Sequence, residues 1–151
     1  MPRGARLDRP ASRFPRLGAA AALAFGCLLF APAPPAAAQA CVPNATTLCL
    51  NSSRFKVQVT WRVPSQGTSG VGTGIALTSD TGEFWFFSAN NIELVIKVVD
   101  GRAFNNRYWV FYGALSDVAY TITVTDSQTG AVKTYENPSG HLASNADITA
   151  F

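Results

Sequence analysis

The chain has one histidine, one methionine and three cysteines in 151 residues, and Asp, Glu, Lys and Arg together make up only 14% of it. With a single histidine, His141, there is no partner set for an imidazole-based metal site or a nucleophile–base–orienter triad. No serine sits in a G-x-S-x-G context. The acidic residues Asp80, Glu83, Glu93, Asp100, Asp117, Asp126, Glu136 and Asp147 are scattered, and most fall at expected turns, where turn capping accounts for them. No spacing marks the paired carboxylates of a glycosidase. No EF-hand loop is present, so a calcium ion at a loop end is the one metal reading left. No catalytic residue, metal ligand or cofactor is therefore expected. A hydrolase or an inhibitor ranks last among the functional readings.

Positive charge is also absent from most of the chain. Arg3, Arg6, Arg9, Arg13 and Arg16 lie in the first 40 residues together with Asp8. Beyond them stand seven basic and eight acidic residues, so the formal charge of +3 belongs to the N-terminus. No basic patch remains to neutralise phosphates, which excludes nucleic acid as a partner, and a polybasic membrane site is equally unsupported.

That N-terminus has the three parts of an export signal. A basic region leads into the uncharged run Leu17 to Phe30, and a Pro/Ala segment ends in Ala38-Gln39-Ala40. The run is shorter than the roughly 20 residues of a membrane span, and Pro32, Pro34 and Pro35 follow it. Residues 1–40 are thus expected to be removed, leaving a secreted, periplasmic or cell-surface chain with no stable membrane insertion. Lipidation at Cys27 or Cys41 fits poorly, because Ala38 stands where a lipobox before Cys41 carries leucine. Cys41 and Cys49 remain after cleavage, and in an oxidising compartment they are expected to form a disulfide closing a 41–53 segment.

From residue 54 onward the period is two. Phe55, Val57, Val59 and Trp61 alternate with Lys56, Gln58, Thr60 and Arg62, as in a strand with one wet face. Glycine, Asn-Asn and Asp-Gly breaks separate further strands. Asp100-Gly101 reads as a tight hairpin turn, and the terminal Phe151 is placed against the core. About seven short strands and no convincing helix predict a single antiparallel β-sandwich over 54–151, similar to an immunoglobulin or fibronectin type III domain. A small β-barrel is the alternative.

Two strands carry more aromatic residues than one buried face requires: Phe84-Trp85-Phe86-Phe87 and Tyr108-Trp109-Val110-Phe111-Tyr112. Alternation puts Trp85 and Phe87 opposite Phe84 and Phe86. Either a loop or the C-terminal segment covers the second face, or Trp85, Phe87, Trp109 and Phe111 form a binding surface for a protein or a glycan. Burial of all four would remove the binding reading, whereas two or more coplanar, exposed rings would favour it. Asn44-Ala45-Thr46 and Asn51-Ser52-Ser53 match the N-glycosylation sequon, a pattern common by chance.

The strings FWFF at 84–87, NIELVIKVVDG at 91–101, YWVFYGALSDVAYTITVTDSQTGAVKTYENPSG at 108–140 and LASNADITAF at 142–151 resemble a recurrent module of secreted bacterial proteins. The resemblance covers nearly all of the chain beyond the signal. It implies an extracytoplasmic, autonomous unit and brings no functional residues with it. The expected function is a non-catalytic binding or adhesion module. A structural or self-assembling module is the alternative.

Overall fold

The computed structural model describes residues 39–151, so nearly all of the expected signal, with Cys27, lies outside the described residues. Ten strands form two antiparallel five-stranded sheets. The first sheet holds β1 (Leu48–Leu50), β2 (Phe55–Val63), β3 (Thr68–Val71), β8 (Ala119–Asp126) and β9 (Val132–Asn137). Its order is β1-β2-β8-β9, with β3 joining β2 farther along the edge that β1 uses. The second sheet holds β4 (Thr73–Ala76), β5 (Thr81–Trp85), β6 (Leu94–Asp100), β7 (Tyr108–Ala114) and β10 (Ser144–Asp147), in the order β10-β7-β6-β5-β4. Neither sheet closes on itself, so the architecture is a sandwich and not a barrel.

The alternation of β2 produces the core directly. Phe55, Val57 and Val59 are fully buried and stand opposite Asp126, Val124 and Ile122 of β8. Leu94, Ile96 and Val98 of β6, Val110 of β7 and Phe84 of β5 close the interior from the second sheet. Each such side chain gains roughly 1.5–3 kcal/mol by leaving water. Phe151 tucks in as placed by the sequence, its ring 5.2 Å from that of Phe55.

The count exceeds the expected seven because β1, β3 and β10 are edge pieces of three or four residues. The Asp100-Gly101 hairpin exists, but its turn is wider than two residues: a one-turn helix, α1 (Arg102–Asn105), sits between β6 and β7 and ends on Asn106 at φ 57°. The C-terminal segment does not cover the aromatic face of β7. It adds β10 to the edge of that strand, with Ala146 opposite Phe111. No helix among the described residues is long and apolar enough to cross a membrane.

Cys41 and Cys49 are disulfide-bonded, with Cα atoms 5.7 Å apart. The bridge ties the N-terminal segment to β1, and the amide of Cys41 donates to Ser53 O at 2.8 Å. The turn between β1 and β2 places three successive non-glycine residues, Asn51, Ser52 and Ser53, at φ 52°, 55° and 63°. Such left-handed residues cost roughly 1–2 kcal/mol each. Surrounding bonds hold them: Asn51 N–H donates to Ser79 O at 2.7 Å, and the Asn51 side-chain amide donates to Val98 O. That last bond occupies the amide of one of the two sequons.

A partly buried ion pair closes one end of the sandwich. Arg54 grips Asp126 with two hydrogen bonds, Nε to Oδ1 at 3.0 Å and Nη2 to Oδ2 at 2.7 Å. It also donates to Tyr108 Oη at 3.0 Å and lies 4.2 Å over that ring. Asp126 is 1% exposed and accepts from Gln128 N–H and Thr129 Oγ1 as well. Burial alone raises the Asp126 carboxyl, but the bonds from Arg54, Gln128 and Thr129 outweigh it and hold the group below its ordinary range. The folded carboxyl therefore titrates below the unfolded one. Its stabilisation is complete above the unfolded value, near 4, and is lost as pH falls through the folded value. Asp126→Asn removes the carboxylate from a partly buried Arg54 and should cost about 2 kcal/mol in urea denaturation at pH 7. The variant should also lose most of the wild type's decline in stability below pH 4. An unchanged midpoint would show the pair to be energetically idle.

Candidate interaction surface

The outer face of the second sheet is a mixed grid of apolar and charged side chains. Residues directly opposite in register share a face. Trp109 of β7 stands opposite Val99 of β6, and Phe111 opposite Lys97. Gly113 stands opposite Val95. On the next strand Lys97 faces Thr81, and Val95 faces Glu83, which in turn faces Ile75 of β4. The inward alternates, Ile96, Val98 and Val110, belong to the core.

One corner of this face is an aromatic ridge. Trp109 meets Phe111 edge-on, with centroids 6.2 Å apart at 74°. Phe104 of α1 meets Trp109 at 5.6 Å and 41°. Phe104 is 83% exposed, the most exposed large apolar side chain among the described residues. Lys97 Nζ lies 5.1 Å over the Phe111 ring.

The ridge is braced from below. The Trp109 indole packs onto the backbone of Gly101, where a Cβ would come within 2.1 Å of Cε2. Its Nε1–H donates to Asn105 Oδ1 at 2.8 Å, and Asn105 Nδ2 donates to Ile148 O at 2.8 Å. Asp100 starts the turn by accepting from Arg102 N–H and pairing with its guanidinium at 2.6 Å. The bonds from Arg102 hold the Asp100 carboxyl down at about 2.

The four residues singled out by sequence divide. Trp109 and Phe111 belong to the ridge. Trp85, half-buried at the end of β5, lies on the same face, opposite Thr73. Phe87 does not. Beyond the end of β5 it is 52% exposed and turns against Trp61, with centroids 4.8 Å apart. None of the four is buried, and the ridge rings are not coplanar. Sequence reading missed Phe104, whose only signal is an aromatic residue in the polar turn Arg102-Ala-Phe-Asn-Asn-Arg107.

The outer face of the first sheet is polar. A groove of about 980 Å³ crosses β3, β2, β8 and β9. By register, Thr60, Thr121 and Glu136 share one outward row, and Arg62 and Ser69 the next. Between them lies the row Gly70, Trp61, Tyr120 and Asn137. That row alternates toward the core, and Trp61 Nε1, Tyr120 Oη and Asn137 Oδ1 are buried without a hydrogen-bond partner among the described residues. Burial, followed by the nearby Tyr112, pushes the Tyr120 hydroxyl up to about 12. Tyr120 packs among aromatic rings, 6.3 Å from Phe86 and 6.5 Å from Tyr112.

Glu93 is 3% exposed and accepts from the Asn91 side chain, while Asp147 accepts from Tyr135 Oη at 2.9 Å and lies 3.5 Å from Lys133. Among the described residues no three His, Cys, Asp or Glu side chains are grouped to hold a metal ion.

The support under Trp109 is testable. Gly101→Ala inserts a methyl group into the indole and should cost about 1–3 kcal/mol, with tryptophan emission shifted to the red as Trp109 moves into water. Unchanged stability and emission would mean that the ridge does not depend on this contact.

No known protein family, curated protein or solved structure matches this chain.

Proposed function

We propose that the chain is exported, cleaved after Ala40, and works outside the cytoplasm as a non-catalytic binding or adhesion module that docks a protein on the outer face of the second sheet. The observation that carries this reading is the ridge of Phe104, Trp109 and Phe111, braced by Gly101 and Asn105 and covered by no described segment. Rigid, partly desolvated aromatic side chains are the usual anchors of protein interfaces. A glycan fits less well, because ring stacking on sugars asks for an open flat ring and these rings meet at 41° and 74°. The Cys41–Cys49 disulfide and the burial of Cys41 support a mature unit beginning near that residue. Within the sandwich class we read the two-layer architecture as immunoglobulin- or fibronectin type III-like. The uninterrupted β4-β5-β6-β7 meander departs from the interleaved strand order of that fold.

Two experiments test the reading. N-terminal sequencing of the protein recovered from an exporting bacterial host should begin at Cys41; a full-length chain held in the membrane overturns the export assignment. Phe104→Ser combined with Phe111→Ser should release the protein from the envelope fraction into the medium while leaving its circular dichroism unchanged. A folded double variant that matches the wild type both in partitioning and in self-association would sink the docking face.

A further inference from the structure

The pattern of charge on this face says which protein fits it. At its centre, Lys97 on β6 and Glu83 on β5 sit on a diagonal, since Lys97 is opposite Thr81 and Glu83 opposite Val95. They form no ion pair with each other or with any other described residue. The remaining outward strand positions are Val95, Val99, Trp109, Phe111, Ile75, Trp85 and Ala146, with Thr81, Thr73, Gly113 and Ser144 between them. Among the strand positions of this face, one unpaired cation and one unpaired anion therefore lie between apolar and neutral side chains. An anionic lipid surface calls for a basic excess that the strand positions of this face lack. A charged partner of either sign would leave one of the two groups facing its own kind. A surface carrying the same pair in reverse order satisfies both.

We propose that this face pairs with the same face of a second copy of the chain. The proposal rests on the reading of the face as a protein-docking surface and names its occupant. A two-fold axis lying in the interface between Lys97 and Glu83 sets Lys97 over the partner's Glu83, and Glu83 over the partner's Lys97, as isologous pairing requires. Strands are spaced by about 4.8 Å and same-face residues along a strand by about 6.8 Å. On a grid with those spacings the same rotation carries Phe111 toward the partner's Trp85 and Val99 toward the partner's Ile75. Ile75 is exposed and Trp85 half-buried in the single chain. The aromatic half of each face thus covers the apolar part of the other, and sheet packs on sheet as in the interior of a sandwich.

The test is a charge swap followed by sedimentation equilibrium. The exported protein is compared with Lys97→Glu, Glu83→Lys and the combined variant, over about 1 to 100 µM. The wild type should dimerise. Each single reversal should weaken the dimer at least tenfold, and the combined variant should regain it. A dimer that the combined variant fails to restore overturns the proposed pairing. So does a wild type that stays monomeric throughout. In that case, envelope partitioning of Phe104→Ser/Phe111→Ser separates the two ideas. Release of the double variant leaves the docking face standing with a different partner, and unchanged partitioning removes both.

Discussion

The register between β2 and β8 is the spine of this domain. It runs unbroken from Phe55 opposite Asp126 to Arg62 opposite Ala119. Every other strand of the first sheet attaches to one of these two: β1 and β3 to β2, and β9 to β8. The pairing also fixes which side chains meet the second sheet, because a slip of one residue would turn Val57, Val59, Ile122 and Val124 outward. Arg54 and Asp126 lock it at one end. Their bidentate bond has one well-defined geometry, so it specifies register as well as contributing stability.

The same register accounts for the division of labour between the two outer faces. The outward alternates of β2 and β8 are Lys56, Gln58, Thr60, Arg62, Thr121, Thr123 and Thr125, a surface that water covers at little cost. The outward alternates of β5, β6 and β7 include Trp85, Val95, Val99, Trp109 and Phe111. Both sheets shield a common core, yet the second carries a row of outward aromatic side chains that the core does not require, whereas the first exposes only Val71 and Val132 among its outward large apolar side chains. A wet face and an apolar face on opposite sides of one sandwich give the molecule a direction.

How much of this was legible in the sequence varies with the length scale of the signal. β2 and β8 were readable because alternation persists over eight or nine residues. The edge strands β1, β3 and β10 were not, since three or four residues carry no period and are extended by their neighbours. The parity argument for Phe84 to Phe87 succeeded up to Trp85 and failed at Phe87, because β5 ends between them. Aromatic excess on β7 was visible, but the prop beneath it was not: Gly101 reads as a turn residue, whereas its position is set by the indole lying on it. The Arg54–Asp126 pair joins residues 72 positions apart, and nothing local to either marks the other.

The placement of β10 bears on how the molecule is made. Any chain is synthesised from its N-terminus, so β5, β6 and β7 can assemble into a sheet before Ser144–Asp147 arrives. During that interval β7 presents a free edge beside Trp109 and Phe111, with unpaired amides next to strongly apolar side chains. Such an edge recruits other strands readily. β10 therefore acts as a late-arriving guard of the edge of β7.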